Sequence, residues 1–116
     1  MNLIKLQLTA RQLNTIAYTF NGLKTIHPVT KEDKTARSIL LELSPKFQKK
    51  NLEVTQKSNL FSDKKKSAFT LKYHEAFYLE YYLNLIQNFP LSEYDRNCVN
   101  FIKSTLNQKL AWKEYI

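Results

Sequence analysis

FTLKYHEAFYLEYYLNLIQNF, residues 69–89, changes its period part-way and thereby decides the fold. Phe69, Leu71 and Tyr73 alternate with Thr70 and Lys72, the two-residue repeat of a half-buried strand. From Tyr73 the repeat becomes helical. With Phe77 at zero on a helical wheel, the run from Tyr81 to Ala76 fills an arc from about 40° to about 260°, and Gln87, Glu80, Asn84 and Asn88 take the remainder. That apolar arc is roughly twice what a surface helix needs. The helix is therefore expected to bury two sides, as a central core element or as one whose second side meets another chain. Tyr78, Tyr81, Tyr82 and Phe89 are the candidate interface residues, because a tyrosine joins an apolar ring to a polar tip.

The same strand-into-helix pattern opens the chain. Ile4, Leu6 and Leu8 alternate with Lys5 and Gln7, and Thr9 is placed to cap a helix whose stripe is Leu13, Ile16, Ala17, Phe20 and Leu23. Asn21-Gly22 either ends it through a left-handed cap with Leu23 folding back or weakens a helix that runs on to Ile26. His27-Pro28 marks a loop, and Thr30-Lys-Glu-Asp33 reads as a capping box in its Asp form. A second helix follows with Ala36, Ile39, Leu40, Leu43 and Phe47 inward, and Pro45 is expected to kink it or to restart it with Ser44 as N-cap. After Pro90, Ser92-Glu-Tyr-Asp95 opens a last helix with Tyr94, Cys98, Phe101, Ile102 and Leu106 inward.

The order is thus β-α-α-β-α-α, an α+β fold of about four helices and a small two-stranded sheet. Each strand needs the other, since an isolated strand leaves its backbone donors and acceptors unpaired. The two strand–helix–helix runs echo one another about 65 residues apart. Leu6 and Leu71 are the one identity between the superposed strands, and the echo raises two similar βαα halves as a reading.

Composition narrows the function. The chain has 116 residues, one glycine, three prolines and one cysteine, and a net charge of +8. This fits one domain spanning 1–116, without the turn chemistry of a sandwich or barrel. No apolar run is long enough for a membrane span and no secretory leader is visible, so no membrane partner is expected. A lone Cys98 fits a reducing compartment, and the expected location is cytoplasmic.

Residues 1–66 hold 13 of the basic side chains and 5 of the acidic ones, while 67–116 hold 5 of each. The positive excess lies wholly in the first part. It points to an electrostatic contact formed by Lys31, Lys34, Arg37, Lys46, Lys49, Lys50, Lys57, Lys64, Lys65 and Lys66, the last four on or beside a mobile Lys-rich loop at about 55–67. The corresponding partner is an acidic protein or a nucleic acid. Lysine predominates over arginine, and lysine-rich basicity is a weaker nucleic-acid signal than arginine-rich basicity, because the planar guanidinium fork is what favours bidentate phosphate and guanine contacts.

Catalytic chemistry is poorly represented. His74-Glu75 begins like a zinc-protease helix, but Tyr78 stands where the second histidine belongs. One glycine cannot build a phosphate-cradling loop, and the paired carboxylates sit at helix starts, where negative charge is favourable without catalysis. The expectation is a non-enzymatic binding or regulatory protein with no cofactor, no metal and no small-molecule substrate. The alternative is a self-assembling, homodimeric structural or adaptor protein whose charge serves solubility.

Overall fold

The computed structural model describes residues 3–25, 29–56, 66–86 and 90–114. Strand β1 (Leu3–Thr9) runs without a loop into helix α1 (Ala10–Phe20), which a 3-10 turn (Asn21–Thr25) extends; helix α2 (Lys31–Gln56) completes the first run. Strand β2 (Lys66–Lys72) passes directly into α3 (Tyr73–Leu85), and α4 (Glu93–Glu114) follows. The expected β-α-α-β-α-α order holds.

The helix starts obey the capping chemistry read from the sequence. The Gln12 amide donates to Thr9 Oγ1 (3.2 Å) while Gln12 Oε1 accepts from the Thr9 amide (3.0 Å). At α3 the reciprocal half is missing, because Lys72 has no acceptor to offer; Glu75 Oε1 still accepts from the Lys72 amide at 2.8 Å. The Asp33 amide donates to Thr30 Oγ1 and the Asp95 amide to Ser92 Oγ.

Two open alternatives are decided and one expectation is corrected. Asn21 remains right-handed (φ −63°, ψ −23°), and the described residues include no positive φ, so the chain leaves α1 through 3-10 geometry rather than a left-handed cap. Helix α2 is continuous through Pro45 and does not restart at Ser44. Pro45 is on the exposed side, and so is Leu41, whose carbonyl loses its helical donor and can be hydrated. In α4 the buried stripe is Val99, Ile102, Leu106 and Leu110; Tyr94 and Phe101 are exposed and Cys98 is half-buried.

The two strands pair antiparallel, with Leu3 opposite Lys72, Lys5 opposite Thr70, Gln7 opposite Ala68 and Thr9 opposite Lys66. One sheet face, carrying Ile4, Leu6, Leu8, Phe69 and Leu71, is buried under the helices in a single cluster that draws side chains from every element. A file of rings crosses that cluster. Tyr82 stacks on Phe20 at 6.1 Å, Phe20 meets Phe47 at 5.4 Å, and Phe47 stacks on Phe69 at 4.4 Å, which ties α3, α1, α2 and β2 together.

Helix α3 resolves the aromatic segment. Ala76, Leu79, Tyr82 and Leu83 are buried, Tyr78 and Tyr81 are half-buried, and Phe77 and Leu85 are 39% and 43% exposed. The helix is a core element along one side and open along part of the other.

Candidate polyanion-binding face

With Ile4, Leu6, Leu8, Phe69 and Leu71 turned inward, the alternation sends Lys5 and Gln7 of β1 and Lys66, Ala68, Thr70 and Lys72 of β2 to solvent; all six are exposed. This outer face carries three lysines and no acidic residue. Cross-strand and diagonal neighbours in a sheet lie roughly 5–8 Å apart, so Lys5 and Lys72 come together from positions 67 residues apart.

Two more lysines flank the ribbon. A two-stranded sheet has two edges, each with outward backbone groups. Lys46 Nζ, from α2, donates to the Thr70 carbonyl at 3.0 Å, and Lys109 Nζ, from α4, donates to the Lys5 carbonyl. Thr70 and Lys5 stand opposite one another, so the middle of the ribbon is gripped by an ammonium group from each side. The bonds fix the ribbon to its helices and add positive charge along both margins.

Of the residues expected to form an electrostatic contact, Lys46 and Lys66 belong to this site. The others on α2 do not gather. Lys31 and Lys49 are 18 residues apart, about 27 Å along a helix, and Glu32, Asp33, Glu42 and Glu53 stand among them. Lys34 is exposed near the N-terminus of α2; Arg37 is half-buried and donates from Nε to the Leu23 carbonyl at 3.3 Å; Lys50 pairs with Glu53 at 3.8 Å. Lys57, Lys64, Lys65 and Phe89 lie outside the described residues. Lys5, Lys72 and Lys109 were missed because lysine-rich runs drew the reading. The signal that finds the first two is the strand alternation, which sets Lys5 and Lys72 opposite the buried leucines.

The tyrosines of the candidate interface are largely engaged inside the molecule. Tyr82 is 2% exposed and its hydroxyl donates to the Thr19 carbonyl. Tyr81 donates to Asp33 Oδ1 at 2.6 Å, and Tyr78 meets Phe77 and Tyr81 edge-on. The Asp33 bond, with burial and the negative charge nearby, pushes the Tyr81 phenol up to about 12; burial does the same for Tyr82. Asp33 is held below the usual carboxylate range, first by the Tyr81 hydroxyl and then by Thr30.

A raised phenol favours the neutral ring in the fold, so this stability is intact below the unfolded value near 10 and is lost between there and about 12. Asp33 contributes above the ordinary aspartate range, and that contribution fades as pH falls through its lowered value. An absorbance titration at phenolate wavelengths is expected to show a late step near 12 that shrinks in Tyr81→Phe and again in Tyr82→Phe. An unchanged late step in both variants rules out this assignment.

A cavity of about 220 Å³ lies beside the Tyr81–Asp33 pair, lined by Leu23, Ala36, Leu40 and Leu85 and bordered by Arg37. It is smaller than the roughly 300–1,000 Å³ of usual ligand sites. Among the described residues no group of three or more His, Cys, Asp or Glu side chains could hold a metal ion, and no helix is long and apolar enough to cross a membrane. Comparison with protein-family models, with curated proteins and with solved structures returns no match.

Proposed function

We propose that this is a non-enzymatic, cytoplasmic nucleic-acid-binding protein that lays the outer face of its two-stranded sheet against a phosphate backbone. The observation that carries the reading is the outward row itself, with Lys5, Lys66 and Lys72 exposed, no carboxylate among them, and Lys46 and Lys109 along the margins. Phosphate contact by lysine requires only an accessible point charge, which suits this residue choice. An acidic protein is the competing partner.

The experiment is a binding titration of the full chain against nucleic acid at several salt concentrations. Three to five phosphate contacts predict that log K falls with log salt with a slope of about −2.7 to −4.5. Absence of binding at low salt removes the nucleic-acid reading and leaves the acidic protein.

Two finer readings accompany this one. The first is two similar βαα halves. Its support is a recurring interval of 63 residues: the helix caps Thr9 and Lys72, the buried pairs Ile16/Leu79 and Phe20/Leu83, and the edge lysines Lys46 and Lys109. Leu6 and Phe69, also 63 apart, face one another across the sheet, where a two-fold relation between halves would place its axis. The second is self-association through the open side of α3, which Phe77 and Leu85 leave apolar and exposed. Light scattering across a concentration series decides it, because a strict monomer removes that reading.

A further inference from the structure

We infer that the ribbon enters the major groove of double-stranded DNA and reads a site with two unlike halves, Lys5 and Thr70 facing one half and Gln7 and Ala68 the other. The inference rests on the nucleic-acid reading above and narrows it to one form of nucleic acid and to specificity-determining side chains.

The dimensions fit. Strands lie about 4.8 Å apart and rise about 3.3 Å per residue, so seven-residue strands make a ribbon roughly 23 Å long. The B-DNA major groove, about 12 Å wide, is one of the few surfaces that admit a two-stranded ribbon. The A-form duplex of RNA, whose major groove is deep and narrow, does not. Single strands are commonly held by aromatic rings that stack on bases. Here the sheet's ring, Phe69, is buried on the inner face and stacked against Phe47, so the outer face has none to offer.

The order of side chains along the ribbon also fits. The middle holds Lys5 opposite Thr70 and Gln7 opposite Ala68, while Lys66 and Lys72 lie at opposite ends of β2. In a groove the middle approaches base edges and the ends approach the bordering phosphates. Glutamine pairs with the N6 and N7 positions of adenine, lysine with the O6 and N7 of guanine, and an alanine or threonine methyl packs on the methyl of thymine. Lys46 and Lys109 hold the middle of the ribbon to the helices by its backbone, which fixes where these side chains point.

The unlike halves follow from the interval of 63. Lys5 corresponds to Ala68 and Gln7 to Thr70, so a two-fold ribbon presents a different pair of side chains on each side of its axis. A two-fold protein with identical halves mirrors a palindrome. This one calls for a site whose halves differ, with guanine under Lys5 beside a thymine methyl under Thr70 in one half, and adenine under Gln7 beside a thymine methyl under Ala68 in the other.

The test compares the full chain on duplex DNA of about 20 base pairs, some three times the roughly 7 base pairs a ribbon of this length covers, with single-stranded DNA and duplex RNA of equal length. Selection from a randomised DNA duplex pool follows, with the wild type and with Gln7→Ala. The expected result is preference for duplex DNA, a selected site with unlike halves, and about tenfold weaker discrimination at one position in Gln7→Ala without a change in salt slope. Equal, salt-dependent binding of all three polymers overturns this inference and leaves the proposed function standing. Binding to none of them overturns both.

Discussion

Replacing Phe47 with alanine is expected to remove about 3–5 kcal/mol of stability, and on the order of 15 °C of melting temperature. Phe47 is fully buried and its ring touches Phe20 on one side and Phe69 on the other. Truncation removes apolar transfer energy and also opens a cavity between α2 and the sheet, where the neighbouring Lys46 holds its edge carbonyl. Against the roughly 5–15 kcal/mol that stabilises an ordinary domain, that is a large fraction. Phe101 is the internal control. It is 58% exposed on α4, and Phe101→Ala is expected to stay within about 0.5 kcal/mol of wild type. Urea unfolding of both variants measures the contrast. A Phe47→Ala loss below about 1 kcal/mol would falsify the arrangement of rings across the core.

The second large effect concerns the outer face. If log K changes by about 0.9 per phosphate contact for each tenfold change in salt, then at 0.1 M each contact is worth about eightfold relative to 1 M. The double variant Lys66→Glu, Lys72→Glu loses two such contacts and is expected to weaken duplex binding by on the order of 60-fold, with a salt slope shallower by about 1.8. These side chains are exposed, so the melting temperature is expected to change little. Lys49→Glu, on the outer side of α2, provides the comparison and is expected to change affinity only a few-fold. Equal losses in the two variants would assign the effect to overall charge, and the ribbon would lose its claim to be the site.

Much of the architecture was legible because two local rules agreed. Alternation from Ile4 to Leu8 and from Phe69 to Tyr73 marked strands, and the side-chain acceptors at Thr9, Thr30 and Ser92 marked the helix starts that follow. Alpha-helix α4 was harder to read. Tyr94, Cys98 and Phe101 share the helical spacing of Ile102 and Leu106 and so read as inward, but the side actually buried is rotated by about one residue to Val99 and Leu110, with Ile102 and Leu106 common to both arcs. An aromatic ring at the edge of an apolar stripe can lie flat on the surface, so spacing alone does not fix the phase.

The candidate site was half legible. Lys46 and Lys66 entered through the density of lysine along the chain, whereas Lys5 and Lys72 come from segments of ordinary composition. Only the antiparallel register makes them neighbours. Lys109, on α4, owes its place to a carbonyl on a strand at the other end of the sequence. Pairings of this range cannot be read from local periodicity.

The pairing of β1 with β2 has a kinetic consequence for a chain that is mostly helical. The nearest partners, Thr9 and Lys66, are 57 positions apart, and closing a loop of that length carries an entropic cost of roughly 4 kcal/mol before the first strand-to-strand bond forms. The helices are local and can develop within microseconds, but the apolar face they cover does not exist until the two distant strands meet. Refolding is therefore expected to be slower than its helix content suggests, with its rate-limiting step at the encounter of those strands.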